Sequence, residues 1–151
     1  MTTYYDSSVL LRALLGQPGR LAGWPSRRGG IASALVRVEC LRTLDRLRVR
    51  ASLPDDLFAP RREAAFRLID ALDVVAVDDT VLERASQPFP TELTTLDAIH
   101  LATALLYRER SGEQVVLATH DGALARAARA CGVSVIGVDQ PGGRKGAAGA
   151  A

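Results

Sequence analysis

Four acidic residues, Asp6, Glu39, Asp97 and Asp121, stand in this 151-residue chain at positions suited to carboxylate chemistry. Asp6 directly follows the β-rich run Thr2–Tyr5. Asp121 follows the apolar run Gln114–Ala118, in Ala118-Thr119-His120-Asp121-Gly122. The working crevice of an open parallel sheet lies outside the carboxyl ends of its strands, which is where both acids fall. Glu39 and Asp97 lie instead in helical patterns among small or apolar neighbours. Brought together at one end of a sheet, four carboxylates repel one another unless a divalent cation neutralises them. Magnesium takes oxygen ligands and retains several waters, which suits a carboxylate cluster facing a phosphate. Such an ion lowers the pKa of a bound water, orients it and stabilises the leaving oxygen of a phosphodiester.

Each acid also has a purely structural reading. Asp6 and Asp121 both precede helical patterns, where Asp is a favoured N-cap. Glu39 has Arg42 and Thr43 within a helical turn for pairing, and Thr94 and Asp97 have the spacing of a capping box. The spacing alone leaves convergence of the four open. His100 follows Asp97 by one turn, placed to bond it or to pack as a satisfied core histidine. His120 lies beside the proposed metal or on the surface. With Cys40 and Cys131 the two histidines are too few for a zinc set, and neither is assigned a catalytic role.

The elements that must position these residues follow from periodicity and breakers. A strand at 2–5 leads through Asp6-Ser7-Ser8 into a helix from Val9 to Leu15. Residues 16–30 carry seven Gly and Pro residues and read as a loop without firm structure. From Ser33 to Arg50 the residues Leu35, Val38, Leu41, Leu44 and Leu47 recur every three positions, predicting an amphipathic helix with a basic surface of Arg37, Arg42, Arg46, Arg48 and Arg50. Together with Arg61, Arg62 and Arg67, that surface is suited to guiding a polyanion or simply to solvation. Pro54 and Pro60 are expected to break the chain before a helix from Arg61 to Leu72, with Ala65, Leu68, Ile69 and Leu72 as its apolar stripe. A strand at Val74–Val77, a helix at Asp79–Ala85 and a helix at Asp97–Arg110 follow. The chain closes with a strand at Gln114–Ala118, a helix at Gly122–Cys131 and a strand at Val133–Val138. The alternation predicts an α/β sandwich on a mostly parallel sheet, formed by one domain over residues 1–140 with a flexible Gly/Ala-rich tail over 141–151.

Composition narrows the class further. Hydrophobic residues make up 48% and charged residues 24%, so neither disorder nor a fibrous repeat is indicated. No apolar stretch is long enough to cross a bilayer. The opening Met-Thr-Thr-Tyr-Tyr-Asp has no basic and apolar leader, so a cytoplasmic location is expected. The two cysteines lie in helical patterns and read as buried reduced thiols. Net charge is +2, and Lys145 is the sole lysine among 19 basic residues. Arginine's forked donors suit phosphate, whereas a receiver domain would need a lysine beside its acids. The glycine-rich turns of dinucleotide-binding and nucleoside-triphosphatase folds do not occur.

The order and local wording of the acids resemble the PIN-domain family, in particular its VapC-type toxin branch. The likeness runs from Tyr5-Asp6-Ser7-Ser8 through Ser33 to Glu39 and Arg42. It continues in Leu96-Asp97-Ala98-Ile99-His100-Leu101-Ala102-Thr103-Ala104 and ends at Thr119-His120-Asp121-Gly122-Ala123-Leu124. The resemblance covers about residues 2–138 and implies a PIN-like three-layer sandwich. It implies that Asp6, Glu39, Asp97 and Asp121 are catalytic and hold magnesium or manganese. By the same likeness Ser7 or Ser8 supports the first acid, and Ser7, Thr119 and Arg42 meet the substrate. The implied activity is metal-dependent endoribonuclease cleavage of RNA by the toxin of a type II toxin–antitoxin pair. The implied partners are a VapB-like antitoxin and a second copy of the chain, in a homodimer with no membrane association. The alternative is a noncatalytic PIN-like module that binds RNA or protein.

Overall fold

The computed structural model describes residues 1–21 and 29–138. The tail expected at 141–151, and residues 22–28 of the Gly/Pro-rich stretch expected as a loop, lie outside the described residues. Among the described residues five strands form one sheet: β1 (Thr2–Tyr5), β2 (Ile31–Ser33), β3 (Asp73–Val75), β4 (Val115–Ala118) and β5 (Ser134–Ile136). All four pairings are parallel, and the spatial order is β3-β2-β1-β4-β5. The chain therefore builds outward from β1 on one side, then returns to build on the other. The reversal between β1 and β4 is the topological switch point, and it places their carboxyl ends side by side.

The helices of the described residues are α1 (Ser7–Leu14), α2 (Leu35–Arg50), α3 (Asp55–Asp70), α4 (Asp79–Ala85), α5 (Thr95–Ser111) and α6 (Gly122–Ala130). The period-2 alternation of the strands sorts the core into two faces. Tyr4, Ile31 and Leu117 pack with Leu101, Leu105 and Leu124 of α5 and α6. Their sequence neighbours Tyr5, Ala32 and Ala118 pack with Val9, Leu10, Val36, Cys40 and Ile69 of α1, α2 and α3. The result is a three-layer α/β/α sandwich, with α4 joined to α5 through Val81, Ile99 and Ala102. No helix of the described residues is long and apolar enough to cross a membrane.

Three sequence expectations are corrected here. Residues 31–33 form a strand, where the sequence predicts a helix from Ser33 and no element at residues 31 and 32. Three residues are too few to show a period, and all three are buried. The buried stripe of α2 is Val36, Cys40 and Leu44, spaced by four. The expected stripe spaced by three drifts around the helix, so Val38 is 59% exposed and Leu47 39% exposed. Finally, α3 begins at Asp55 and carries Pro60 inside it. Pro60 removes one backbone bond and crowds the preceding turn. Pro54 at the cap and acids at Asp55 and Asp56 nonetheless favour a start at Asp55 and not at Arg61.

Gly137 shows how closely the end of β5 approaches the end of β4. Its φ is +95°, and a Cβ there would run into the backbone carbonyl of Thr119. Gly112 also has positive φ, +68°, but open space around it. Gly112→Ala is expected to cost about 1 kcal/mol from backbone strain alone. Gly137→Ala, with strain and a backbone clash together, should cost roughly 2–4 kcal/mol. Urea unfolding of the two variants measures the difference, and equal costs would contradict the close approach.

Candidate active site

Asp6 ends β1 and caps α1. Its backbone N–H donates to the Ala118 carbonyl at 3.0 Å, which ties it to the end of β4. Its Oδ2 accepts from the Thr119 hydroxyl at 2.8 Å, from the Ser8 hydroxyl at 2.5 Å and, more weakly, from the Ser8 backbone N–H at 3.4 Å. The Ser7 hydroxyl lies 3.4 Å from Oδ1. Thr119 is fully buried, and its oxygen also accepts the Asp121 backbone N–H at 2.9 Å. One hydroxyl thus joins the first acid to the last across 115 positions of sequence. Ser8 extends the link, its oxygen accepting the His120 backbone N–H at 2.9 Å.

Asp121 caps α6, with Oδ1 accepting from Ala123 and Leu124 N–H at 2.7 and 2.8 Å. Asp97 sits in the first turn of α5, where its Oδ2 accepts from the Thr94 hydroxyl at 2.7 Å. Burial raises the Asp97 pKa. The Thr94 hydrogen bond and His100 oppose that rise, while the charges of Asp121 and Asp6 add to it, and the net shift is upward. This electrostatic coupling puts Asp97 in the company of both strand-end acids.

Glu39 reaches the group from α2 through a residue whose partner the spacing did not indicate. His100 is 1% exposed, and its Nε2 lies 2.8 Å from Glu39 Oε2 and 3.6 Å from Asp6 Oδ1. Its Nδ1 lies 2.8 Å from the Tyr4 hydroxyl. The helical turn between Asp97 and His100 put the two residues on one face of α5. Only the fold brings Glu39 and Tyr4 to that face. Burial alone would lower the His100 pKa, but the Glu39 hydrogen bond and the charges of Asp6, Glu39 and Asp97 outweigh it and raise the value. Burial, then the charge of Asp6, lifts the Tyr4 phenol well above its ordinary range, so it keeps its proton. Burial and the charges of Glu39 and Asp6 push the Cys40 thiol up to about 12, leaving it inert.

The remaining expected residues fall as follows. Arg42 is exposed on α2 and pairs along the helix with Asp45 at 3.0 Å. Arg48 pairs with Asp45 as well, Arg67 with Glu63 and Arg37 with Asp70. His120 Nδ1 lies 2.9 Å from the Gly137 carbonyl, beside the acids rather than among them.

Among the described residues no group of three or more acidic, histidine or cysteine side chains is arranged to hold a metal ion as it stands. The donor chemistry nevertheless suits a hard divalent cation. Asp97, Asp121 and Glu39 each use one carboxylate oxygen in the bonds above and leave the other for a ligand. Magnesium needs only one or two carboxylates beside its own waters. Burial is the main cause of the upward shift at Asp97, and the charges of Asp121 and Asp6 add to it in the direction that a bound cation would oppose.

Residues 3–130 match the profile of the PIN domain family. Over 137 residues, 88% of this chain and 95% of the relative, the sequence is 35% identical to Ribonuclease VapC46 of Mycobacterium tuberculosis (strain ATCC 25618 / H37Rv). It is 30% identical over 136 residues, 85% of this chain and 91% of the relative, to Ribonuclease VapC47 of Mycobacterium tuberculosis (strain CDC 1551 / Oshkosh). The fold is similar to that of a chain in a toxin–antitoxin complex from Klebsiella pneumoniae, with a TM-score of 0.63 and 16% identity over 92% of this chain and 100% of that one. It is also similar to PAE2754 from Pyrobaculum aerophilum, with a TM-score of 0.60 and 20% identity over 89% and 83%.

A carboxyl whose pKa is raised by folding holds its proton more tightly in the folded state. Its contribution to stability is therefore present below the unfolded carboxylate value and lost as pH rises through the folded one. At neutral pH without divalent cations, Asp97→Asn should melt at or slightly above the wild type, because it removes the charge and keeps an acceptor for Thr94. The advantage should close as pH falls through the carboxylate range. Thermal melts in chelator across that range check this, and a variant melting well below the wild type at neutral pH would contradict it.

Proposed function

The chain belongs to the PIN domain family, and from that we propose that it is a metal-dependent endoribonuclease, the toxin of a type II toxin–antitoxin pair. The observation that supports this reading is the link from Asp6 to Asp121 through Thr119 at the carboxyl ends of β1 and β4, with His100 between Asp6 and Glu39 and Asp97 one helical turn before His100 on α5. The relatives named Ribonuclease VapC46 and VapC47 support the reaction and substrate. The structural neighbour described as a toxin–antitoxin complex supports the kind of partner.

Asp6, Asp97, Asp121 and Glu39 are the residues that would hold magnesium or manganese. When bound, the cation supplies a nucleophilic water at neutral pH and charge stabilisation for the phosphodiester. The protein's own part is largely to keep the carboxylates in place. Thr119 and Ser8 fix Asp6 against the end of β4, and Thr119 also holds the backbone of Asp121. Thr94 orients Asp97 at the mouth of α5. Ser7, beside Asp6, and Arg42, on the neighbouring face of α2, are the substrate contacts we propose, with Thr119 acting through the acids it joins. Cleavage in the cytoplasm fits a chain whose described helices do not span a membrane.

The partner surface we propose is the outer face of α2 and α3. Val38, Val49 and Leu57 are 59%, 65% and 50% exposed there, left out of the core by the register of the helices. Exposed apolar side chains beside the Arg42–Asp45 pair suit an amphipathic helix from a small antitoxin. Self-association as a homodimer belongs to the same reading.

Purified protein should cleave structured RNA with magnesium or manganese and stop when a chelator is added. Asp6→Asn and Asp97→Asn should each lower the rate by at least about 100-fold, the size expected when a carboxylate acting on the transition state is neutralised, with circular dichroism unchanged. Undiminished cleavage by Asp97→Asn would sink the mechanism. RNA binding without cleavage in the wild type would point to the noncatalytic alternative. Capture from the native cell should recover a small partner protein, and Val38→Glu with Val49→Glu should abolish capture without changing the melting temperature. Capture that survives both substitutions moves the interface elsewhere.

A further inference from the structure

Glu39 differs from the other three acids in its surroundings. Asp6, Asp97 and Asp121 lie at or within the first turn of a helix, where backbone N–H groups or a capping hydroxyl orient them. Glu39 lies within α2, in its second turn, where no such group is available. A glutamate side chain has three rotatable bonds, so without a partner its carboxylate would sample many positions.

We propose that His100 is a positioning residue for Glu39, and that Tyr4 in turn fixes His100, so that a buried tyrosine hydroxyl sets where the fourth carboxylate points. The statement rests on the metal reading above and adds to it a residue that is not one of the four acids. The carboxylate can only accept, so Nε2 carries a hydrogen and donates to Oε2 at 2.8 Å in either protonation state of the ring. In the neutral ring Nδ1 is the acceptor, and the Tyr4 hydroxyl donates to it at 2.8 Å. With both nitrogens occupied the imidazole cannot turn without leaving a buried polar group unpaired. Its rigidity has a foundation, because Tyr4 is fully buried and belongs to the central strand. The same Nε2 lies 3.6 Å from Asp6 Oδ1, so one side chain spans acids from α2 and from the end of β1. Oε2 is held toward His100, which leaves the other oxygen of Glu39 for the cation.

The test compares two replacements of the same residue. His100→Gln retains an N–H donor at about the reach of Nε2, whereas His100→Asn retains one only at the reach of Nδ1, beside Tyr4. Manganese affinity of the full chain is measured by calorimetry, with thermal melts alongside. Loss of a residue that orients a metal ligand typically weakens affinity about 10- to 100-fold. We expect a loss of that size for His100→Asn, recovery of most of it in His100→Gln, and a smaller loss in Tyr4→Phe. In RNA cleavage the same order should appear in kcat with little change in KM. A merely structural histidine would make the two replacements alike, so equal manganese affinities overturn the proposal. If His100→Asn does not fold, Tyr4→Phe decides, and unchanged affinity in that variant overturns it too. Absence of manganese binding by the wild type would instead defeat the metal reading itself and this inference with it.

Discussion

Carboxylates held close together in a partly buried place repel one another, and at this sheet edge each of the four has its own local compensation. Asp6 and Asp121 sit at helix N-termini, where unpaired N–H groups and the helix dipole favour negative charge. Asp97 occupies the first turn of α5 and takes the Thr94 hydroxyl. Glu39, within α2, takes His100 instead. At Asp97 burial, with a smaller addition from the charges of Asp121 and Asp6, still raises the pKa. Three of the acids thus stand at the N-terminal ends of helices, and the fourth, on α2, is held by a histidine from α5.

That geometry depends on β1 lying at the centre. As the first strand, with β2 on one side and β4 on the other, it delivers Asp6 to the switch point and sends Tyr4 and Tyr5 to opposite faces. Tyr4 supports the α5 side through His100, while Tyr5 packs with α1 and α2. The identity of each face is therefore fixed by a one-residue register. A slip of β1 by one position would exchange the two tyrosines and carry the hydroxyl away from the histidine.

The long elements were legible because their signals agree. The helix over 79–85 appears at its expected bounds, and that over 97–110 begins two residues earlier, behind a Thr94 cap of the expected spacing. The strand at 31–33 was not legible, since three buried residues after two glycines carry no period. The α2 stripe was misread because its sequence offers apolar residues at two competing spacings, and only packing against the sheet selects 36, 40 and 44. At the candidate site, Asp6 and Asp121 both cap helices and are also linked to each other through Thr119, so the cap reading and the pairing of the two strand-end acids hold together. The Tyr4–His100–Glu39 contact could not be read in advance, because it joins residues 61 and 96 positions apart that share no pattern. What the sequence offered was a histidine on the Asp97 face of a helix, which names the face but not the partner.

The order in which the ribosome delivers this chain bears on when the crevice can exist. The central strand is the first to emerge, yet one of its two neighbours, β4, begins only at Val115. Thr119 and Asp121 follow immediately. Until that point a nascent chain holds β1, β2 and β3 with one flank of the central strand unpaired and the hydroxyl that links Asp6 to Asp121 absent. Pairing across more than a hundred residues is slow and comes late in folding. The set of four is thus complete only once β4 has been made, and a truncated product that stops before β4 lacks both Asp121 and the hydroxyl that links it to Asp6.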